Sequence, residues 1–191
     1  MIIDGKIDET GDALGTIPDD IIKVVQDTAE QDGRADNGIL VTAKVNLEDM
    51  SDSLAITLPI GVLEALIEVG VIELKIESIV ADIALDLATM KRILAAGGPE
   101  ILLRVDIFGR SEGSQAANRP AFELSIQSGG EVIPLMSWGT ISVSLPYTLA
   151  EGENPDNLVG VYEDHAGKAL FLAYSGCNTY DDRLCFSTNC S

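Results

Sequence analysis

Leu54-Ala55-Ile56-Thr57-Leu58-Pro59-Ile60-Gly61-Val62-Leu63-Glu64-Ala65-Leu66-Ile67-Glu68-Val69-Gly70-Val71-Ile72-Glu73-Leu74-Lys75-Ile76-Glu77 is the stretch that decides the fold class. Its first six residues form an apolar, partly β-branched run that stops at a proline, the pattern of a strand. Ile60 to Val69 then places Leu63, Leu66 and Ile67 at helical spacing and ends at Gly70, a residue suited to a helix terminus. Val71 to Glu77 returns to alternation with period two, as a half-buried strand requires. A strand, a short amphipathic helix and a second strand in close succession predict a helix packed against a sheet rather than a bundle or a coiled coil.

The same order extends in both directions. Residues 1–16 are Gly- and Asp-rich and are expected to be a flexible lead-in. From Ile17 the chain reads as a helix start, with Pro18, Asp19 and Asp20 suited to a first turn and Ile21, Ile22, Val24, Val25 and Thr28 near one face. Asp32-Gly33 and Asp36-Asn37-Gly38 end it, and Ile39 to Val45 reads as a strand. Downstream, Val80 to Leu85 alternates like a strand, and Asp86 to Ala95 is expected to be helical up to Gly97-Gly98-Pro99. The Lys91-Arg92 pair is placed near that helix's end, where cations complement the dipole. Ile101 to Phe108 is another strand, leaving the short helices to cover one sheet face.

Gly109 to Pro120 is polar and rich in Gly, Ser and Asn, the composition of a link. Beyond it the helical signal disappears. Strands are predicted over Ala121 to Gln127, Glu131 to Leu135, Thr140 to Pro146, Leu158 to Glu163, Lys168 to Ala173 and Leu184 to Thr188, separated by turn residues in the manner of an antiparallel sandwich. The expected fold is α+β and predominantly β. Short helices pack on a sheet in residues 17–109, residues 110–120 form the link, and residues 121–191 form an antiparallel, sandwich-like β portion.

The 191 residues carry 31 Asp plus Glu against 12 Lys plus Arg, a formal net charge of -19, while 46% of residues are hydrophobic. That apolar fraction is too high for a disordered acidic tail, because it can repay the ordering of the backbone. The scattered cations offer no electropositive footprint for phosphates, which argues against nucleic acid as a partner, and an anionic membrane surface would repel the chain. No apolar run is long enough to span a bilayer, so no direct membrane insertion is expected. The opening Met1-Ile2-Ile3-Asp4-Gly5-Lys6 lacks the features of a secretion signal, and the chain is expected to be an excised piece of a longer protein.

Chemistry-bearing residues are few. Cys177, Cys185 and Cys190 all lie near the end of the sequence. Cys177 and Cys185 flank a turn-rich segment, which leaves two readings open: a disulfide across a terminal hairpin, or three free thiols packed as small hydrophobes. The single histidine, His165, has no paired Cys-x-x-Cys around it for zinc and no local signature for a Cys–His nucleophile. Gly97-Gly98 and Gly129-Gly130 lack the spacing of a phosphate-binding loop and read as turns. The densest acidic segments are Glu48-Asp49, Glu151-Gly152-Glu153-Asn154-Pro155-Asp156 and Asp181-Asp182. Surface solvation is the default reading of each, and calcium is the leading functional alternative because acidic and carbonyl oxygens suit it, although the twelve-residue calcium-loop pattern is absent. Trp138, Tyr147, Tyr162, Tyr174 and Tyr180 are too dispersed to form an aromatic strip by sequence alone. No catalytic, cofactor-binding or metal-ligating set emerges, and the expectation is that the chain is not an enzyme and needs no cofactor.

Ile56-Thr57-Leu58-Pro59 with Val62-Leu63-Glu64-Ala65-Leu66, and Ile141-Ser142-Val143-Ser144-Leu145-Pro146-Tyr147-Thr148-Leu149, resemble an accessory module of bacterial cell-surface proteins that often precedes S-layer-homology repeats. The resemblance runs on through Glu151-Gly152-Glu153-Asn154-Pro155-Asp156-Asn157-Leu158-Val159, Val161-Tyr162-Glu163-Asp164 and Phe186-Ser187-Thr188-Asn189, and is strongest in the last sixty or so residues. Related modules commonly finish in a Phe-Thr-Thr-Asn-His-Phe-Ser type segment, where this chain has Phe186-Ser187-Thr188-Asn189-Cys190-Ser191. The wall-anchoring repeats themselves are absent here.

The resemblance implies an extracellular or cell-envelope setting and a noncatalytic structural or interaction role. The partners it implies are neighbouring modules of a larger surface protein, with cell-wall glycan or protein as further candidates. A carbohydrate- or protein-binding β module, presenting aromatics on a sheet, is the alternative. A carboxylate-based hydrolase is a more distant one, because it needs acidic groups converging in a shared cleft.

Overall fold

A computed structural model describes residues 1–32, 38–108, 121–133, 139–149, 151–163, 169–172, 174–178 and 182–190. Fifteen strands and three helices are assigned among them. In chain order they are β1 (Ile2–Asp4), β2 (Lys6–Ile7), β3 (Ala13–Thr16), α1 (Ile21–Asp32), β4 (Ile39–Asn46), β5 (Ser53–Pro59), α2 (Ile60–Glu68), β6 (Val71–Glu77), β7 (Asp82–Asp86), α3 (Leu87–Ala96), β8 (Glu100–Phe108), β9 (Ala121–Ser128), β10 (Glu131–Val132), β11 (Gly139–Pro146), β12 (Gly160–Glu163), β13 (Ala169–Leu172), β14 (Tyr174–Asn178) and β15 (Arg183–Cys190). The fold is α+β and predominantly β.

Two mixed sheets carry the architecture. One has seven strands in the order β1-β4-β6-β7-β11-β15-β14, the other six in the order β10-β9-β8-β5-β3-β2, and β12 and β13 form a separate antiparallel pair. Alternation decides what faces inward. Val41, Ala43 and Val45 of β4, Leu74 and Ile76 of β6, Ile83 and Leu85 of β7, and Ile141, Val143 and Leu145 of β11 are buried from the first sheet. Leu54, Ile56 and Leu58 of β5, Ile101, Leu103 and Val105 of β8, and Ile126 of β9 are buried from the second. Both sets belong to one continuous apolar core. Phe122 of β9 and Phe186 of β15 touch from opposite sheets, with ring centroids 5.1 Å apart.

Each helix carries the chain from one sheet to the other. α1 links β3 to β4, α2 links β5 to β6, and α3 links β7 to β8. The registers Thr16 with Thr57, Pro59 with Glu100, Ile39 with Val71 and Glu73 with Asp86 align these crossings at the same end of the sandwich. α2 packs on β5 and β6 as well as on α1 and α3. Leu63 and Leu66 of α2 are buried, as their spacing predicts, whereas Ile67 is half-buried and Val62 takes the third buried place. The helix stops where Gly70, at φ +92°, takes a left-handed conformation and donates its N–H to the Ile67 carbonyl.

Three expectations need correction. Residues 1–16 are not a flexible lead-in. β1 pairs in parallel with β4, β3 pairs in parallel with β5, and Ile3 and Ala13 are buried, so this segment supplies edge strands to both sheets. On α1, Ile21 and Val25 are buried but Val24 is 49% exposed, which narrows the predicted apolar face. Lys91 and Arg92 are exposed in the middle of α3, and no basic residue occupies its last turn, so they do not complement its dipole.

The link predicted at residues 110–120 lies outside the described residues. The portions on either side of it share both sheets, because β7 pairs with β11 and β8 pairs with β9. The sandwich is thus built jointly by the two halves of the sequence.

Candidate functional site

The outward faces of the two sheets carry the polar residues that alternation excludes from the core, and two charge networks form there. Lys44 of β4 and Lys75 of β6 approach Glu77 at 3.3 and 2.7 Å. Lys75 also lies 3.8 Å from Asp82 of β7. Arg183 of β15 reaches across β11, its Nη2 donating to Asp82 Oδ1 at 3.1 Å and to the Ser144 carbonyl at 3.0 Å while Nε donates to Ser144 Oγ at 3.0 Å. Alternating charges from four strands therefore span five neighbouring ones, with Ser144 of β11 bridging the last gap. Beside them the Ser142 and Ser187 hydroxyls share a hydrogen bond of 2.8 Å.

Burial and direct pairing shift proton affinities in this network in opposite directions. Asp82 is the most enclosed carboxylate, with a side chain 15% exposed. Desolvation lifts its pKa above the usual carboxylate value, outweighing the attraction of Arg183 and Lys75 and a hydrogen bond from the Ser78 N–H. Glu77 moves the other way, because the Lys75 ammonium bonds to it directly. The same bond holds Lys75 above its ordinary value.

The second network lies on the six-stranded sheet. Arg104 of β8 binds Asp106 at 2.7 Å through Nη2 and Asp12 at 2.8 Å through Nη1. Ser53 of β5 donates its hydroxyl to Asp12 Oδ1 at 2.5 Å. Arg104, followed by Ser53, holds the Asp12 carboxyl below its ordinary range, and Asp106, followed by Asp12, pushes Arg104 up. Asp8, in the preceding turn, accepts from the Thr10 hydroxyl and from the Thr10 and Asp12 N–H groups, which lowers its pKa. Both networks cross-brace strands. Every buried side-chain nitrogen or oxygen among the described residues has a hydrogen-bond partner.

Two of the acidic segments picked out in the sequence meet at Tyr147, whose hydroxyl donates to Glu153 and whose N–H donates to the Asp182 carbonyl. Glu48 and Asp49 are exposed between β4 and β5. Glu153 accepts a hydrogen bond of 2.5 Å from the Tyr147 hydroxyl, and Asn154 caps a single 3-10 turn over Pro155–Asn157. Asp182 stands exposed in the turn before β15 with φ 51°, and Asp181 lies outside the described residues. No group of three His, Cys, Asp or Glu side chains close enough to hold a metal occurs among the described residues.

The β14–β15 register separates Cys177 from Cys185. Cys177 lies opposite Leu184 and Gly176 opposite Cys185, so Cys177 and Cys185 project from opposite faces of the β14–β15 hairpin. Both are free thiols, Cys185 exposed and Cys177 half-buried. Burial, followed by the charge of Asp182, pushes the Cys177 thiol up.

Among the aromatic candidates, Tyr147 is only 8% exposed and so is not presented on a sheet face. Tyr162 and Tyr174 lie on β12 and β14. Trp138, Tyr180 and His165 lie outside the described residues. Arg104 and Arg183, the organising cations, were not singled out by sequence reasoning: Asp82 lies 101 residues from Arg183, and although Asp106 is two residues from Arg104, its second partner Asp12 is 92 away. No helix among the described residues is long and apolar enough to cross a membrane. Comparison with protein-family models, curated proteins and solved structures finds no match to this chain.

Proposed function

We propose that this chain is a noncatalytic structural or interaction module of a secreted or cell-surface bacterial protein, with neighbouring modules of the same protein as its first partners. The observation that carries the reading is the ordered resemblance from Ile141 to Asn189 to modules found before S-layer-homology repeats. The positions involved support a scaffolding role. Ile141, Val143 and Leu145 are buried core residues, Tyr147 is tied to Glu153, and Ile141 to Leu145 pair residue for residue with Leu184 to Thr188. A signature made of core and turn residues preserves a shape, and a rigid sandwich transmits the spacing between its flanking segments.

The test is one of location. Intact cells of the source organism, their culture medium and their cytosol are probed with an antibody raised against the chain. Labelling of the intact surface or the medium is expected, and confinement to the cytosol overturns the proposal.

A further inference from the structure

We draw no further inference here: the strongest candidate, the outer face of the seven-stranded sheet where Ile2 and Leu40 stand exposed near Lys44 and the charge network beyond it, is a surface patch for which nothing in the structure shows what covers it.

Discussion

Asp82 and Glu77 sit in one network but respond to acid in opposite directions. The folded chain holds the Asp82 proton more tightly than an unfolded chain does, since burial raises its pKa above the ordinary 3.8. Its contribution to stability is therefore present below that value and is lost as pH rises through the higher folded-state value. Glu77 is held below 4.5 by Lys75, so its contribution is present above 4.5 and is lost as pH falls through the lower folded-state value. Urea unfolding from neutrality into acid checks the sign. Wild type should gain stability relative to Asp82→Asn as pH falls, and lose it relative to Glu77→Gln. Slopes of the same sign would reject this account of the network. Arg183→Met leaves Asp82 with the Ser78 N–H and, 3.8 Å away, the Lys75 ammonium, and should cost about 1–2 kcal/mol at neutral pH after allowance for partial solvent screening. The thiols give a second check at this scale. Cys185 should react with a thiol reagent faster than Cys177, as read from the Cys177→Ser and Cys185→Ser variants. Removing the reductant should leave the unfolding midpoint of Cys190→Ser unchanged; a raised midpoint would indicate a Cys177–Cys185 bond.

Asp86 is where three elements meet. Its carboxylate caps α3 by accepting the Thr89 N–H at 2.8 Å, and its other oxygen accepts the Thr140 N–H of β11 at 2.8 Å. Asp86→Ala should lower stability by about 1–2 kcal/mol, the worth of a helix cap plus a lost charge-assisted bond. Gly139 packs into the same corner at φ +102°, where a Cβ would lie 2.6 Å from the Thr89 backbone nitrogen. Gly139→Ala should cost about 2–3 kcal/mol from strain and overpacking combined. Lys91→Ala, on the exposed side of the same helix, should change stability by less than about 0.5 kcal/mol. Denaturant midpoints rank the three, and an Asp86→Ala variant as stable as Lys91→Ala would remove the corner from the argument. The helix itself was legible in the sequence, because apolar spacing and the Gly97-Gly98-Pro99 stop fix α3 to within a residue or two; β4 to β8 were legible for the same reason. β1, β2 and β3 were not, since two to four residues interrupted by Asp, Gly and Lys are too short to express a period. β14 was missed because Tyr174-Ser175-Gly176-Cys177-Asn178 has neither alternation nor β-branched residues. Which sheet a strand joins was equally hidden: alternation shows that one face is buried and is silent about the partner. Arg183 was invisible as a network centre on that account, and so was the tie from Arg104 to Asp12, since only the pairing of distant strands makes them; Arg104 and Asp106, two apart on β8, were within reach of alternation.

At the scale of the whole molecule, the -19 charge opposes compaction by self-repulsion while the apolar core opposes unfolding. Attraction offsets only part of it: Lys44, Lys75, Arg104 and Arg183 have acidic partners, whereas Glu48, Asp49, Glu151 and Asp156 are exposed carboxylates. Repulsion spread over a surface is screened within about 10 Å at 0.1 M salt, while the enclosed Asp82–Arg183 pair is screened much less. Added salt should therefore stabilise the fold, the reverse of what a protein held by exposed ion pairs would show. Raising sodium chloride from about 0.02 to 0.5 M should lift the thermal midpoint by about 3–6 °C, equivalent to ~1–2 kcal/mol at this chain length. Calcium separates screening from binding. If the acidic loops act only as a diffuse countercharge, calcium and magnesium chloride at equal ionic strength should raise the midpoint by similar amounts. A midpoint that climbs with calcium alone and saturates at low concentration would instead mark a dedicated site, through the stabilisation that any ligand of the folded state confers. A midpoint that falls with sodium chloride would mean that the two ion networks outweigh the self-repulsion of the -19 net charge.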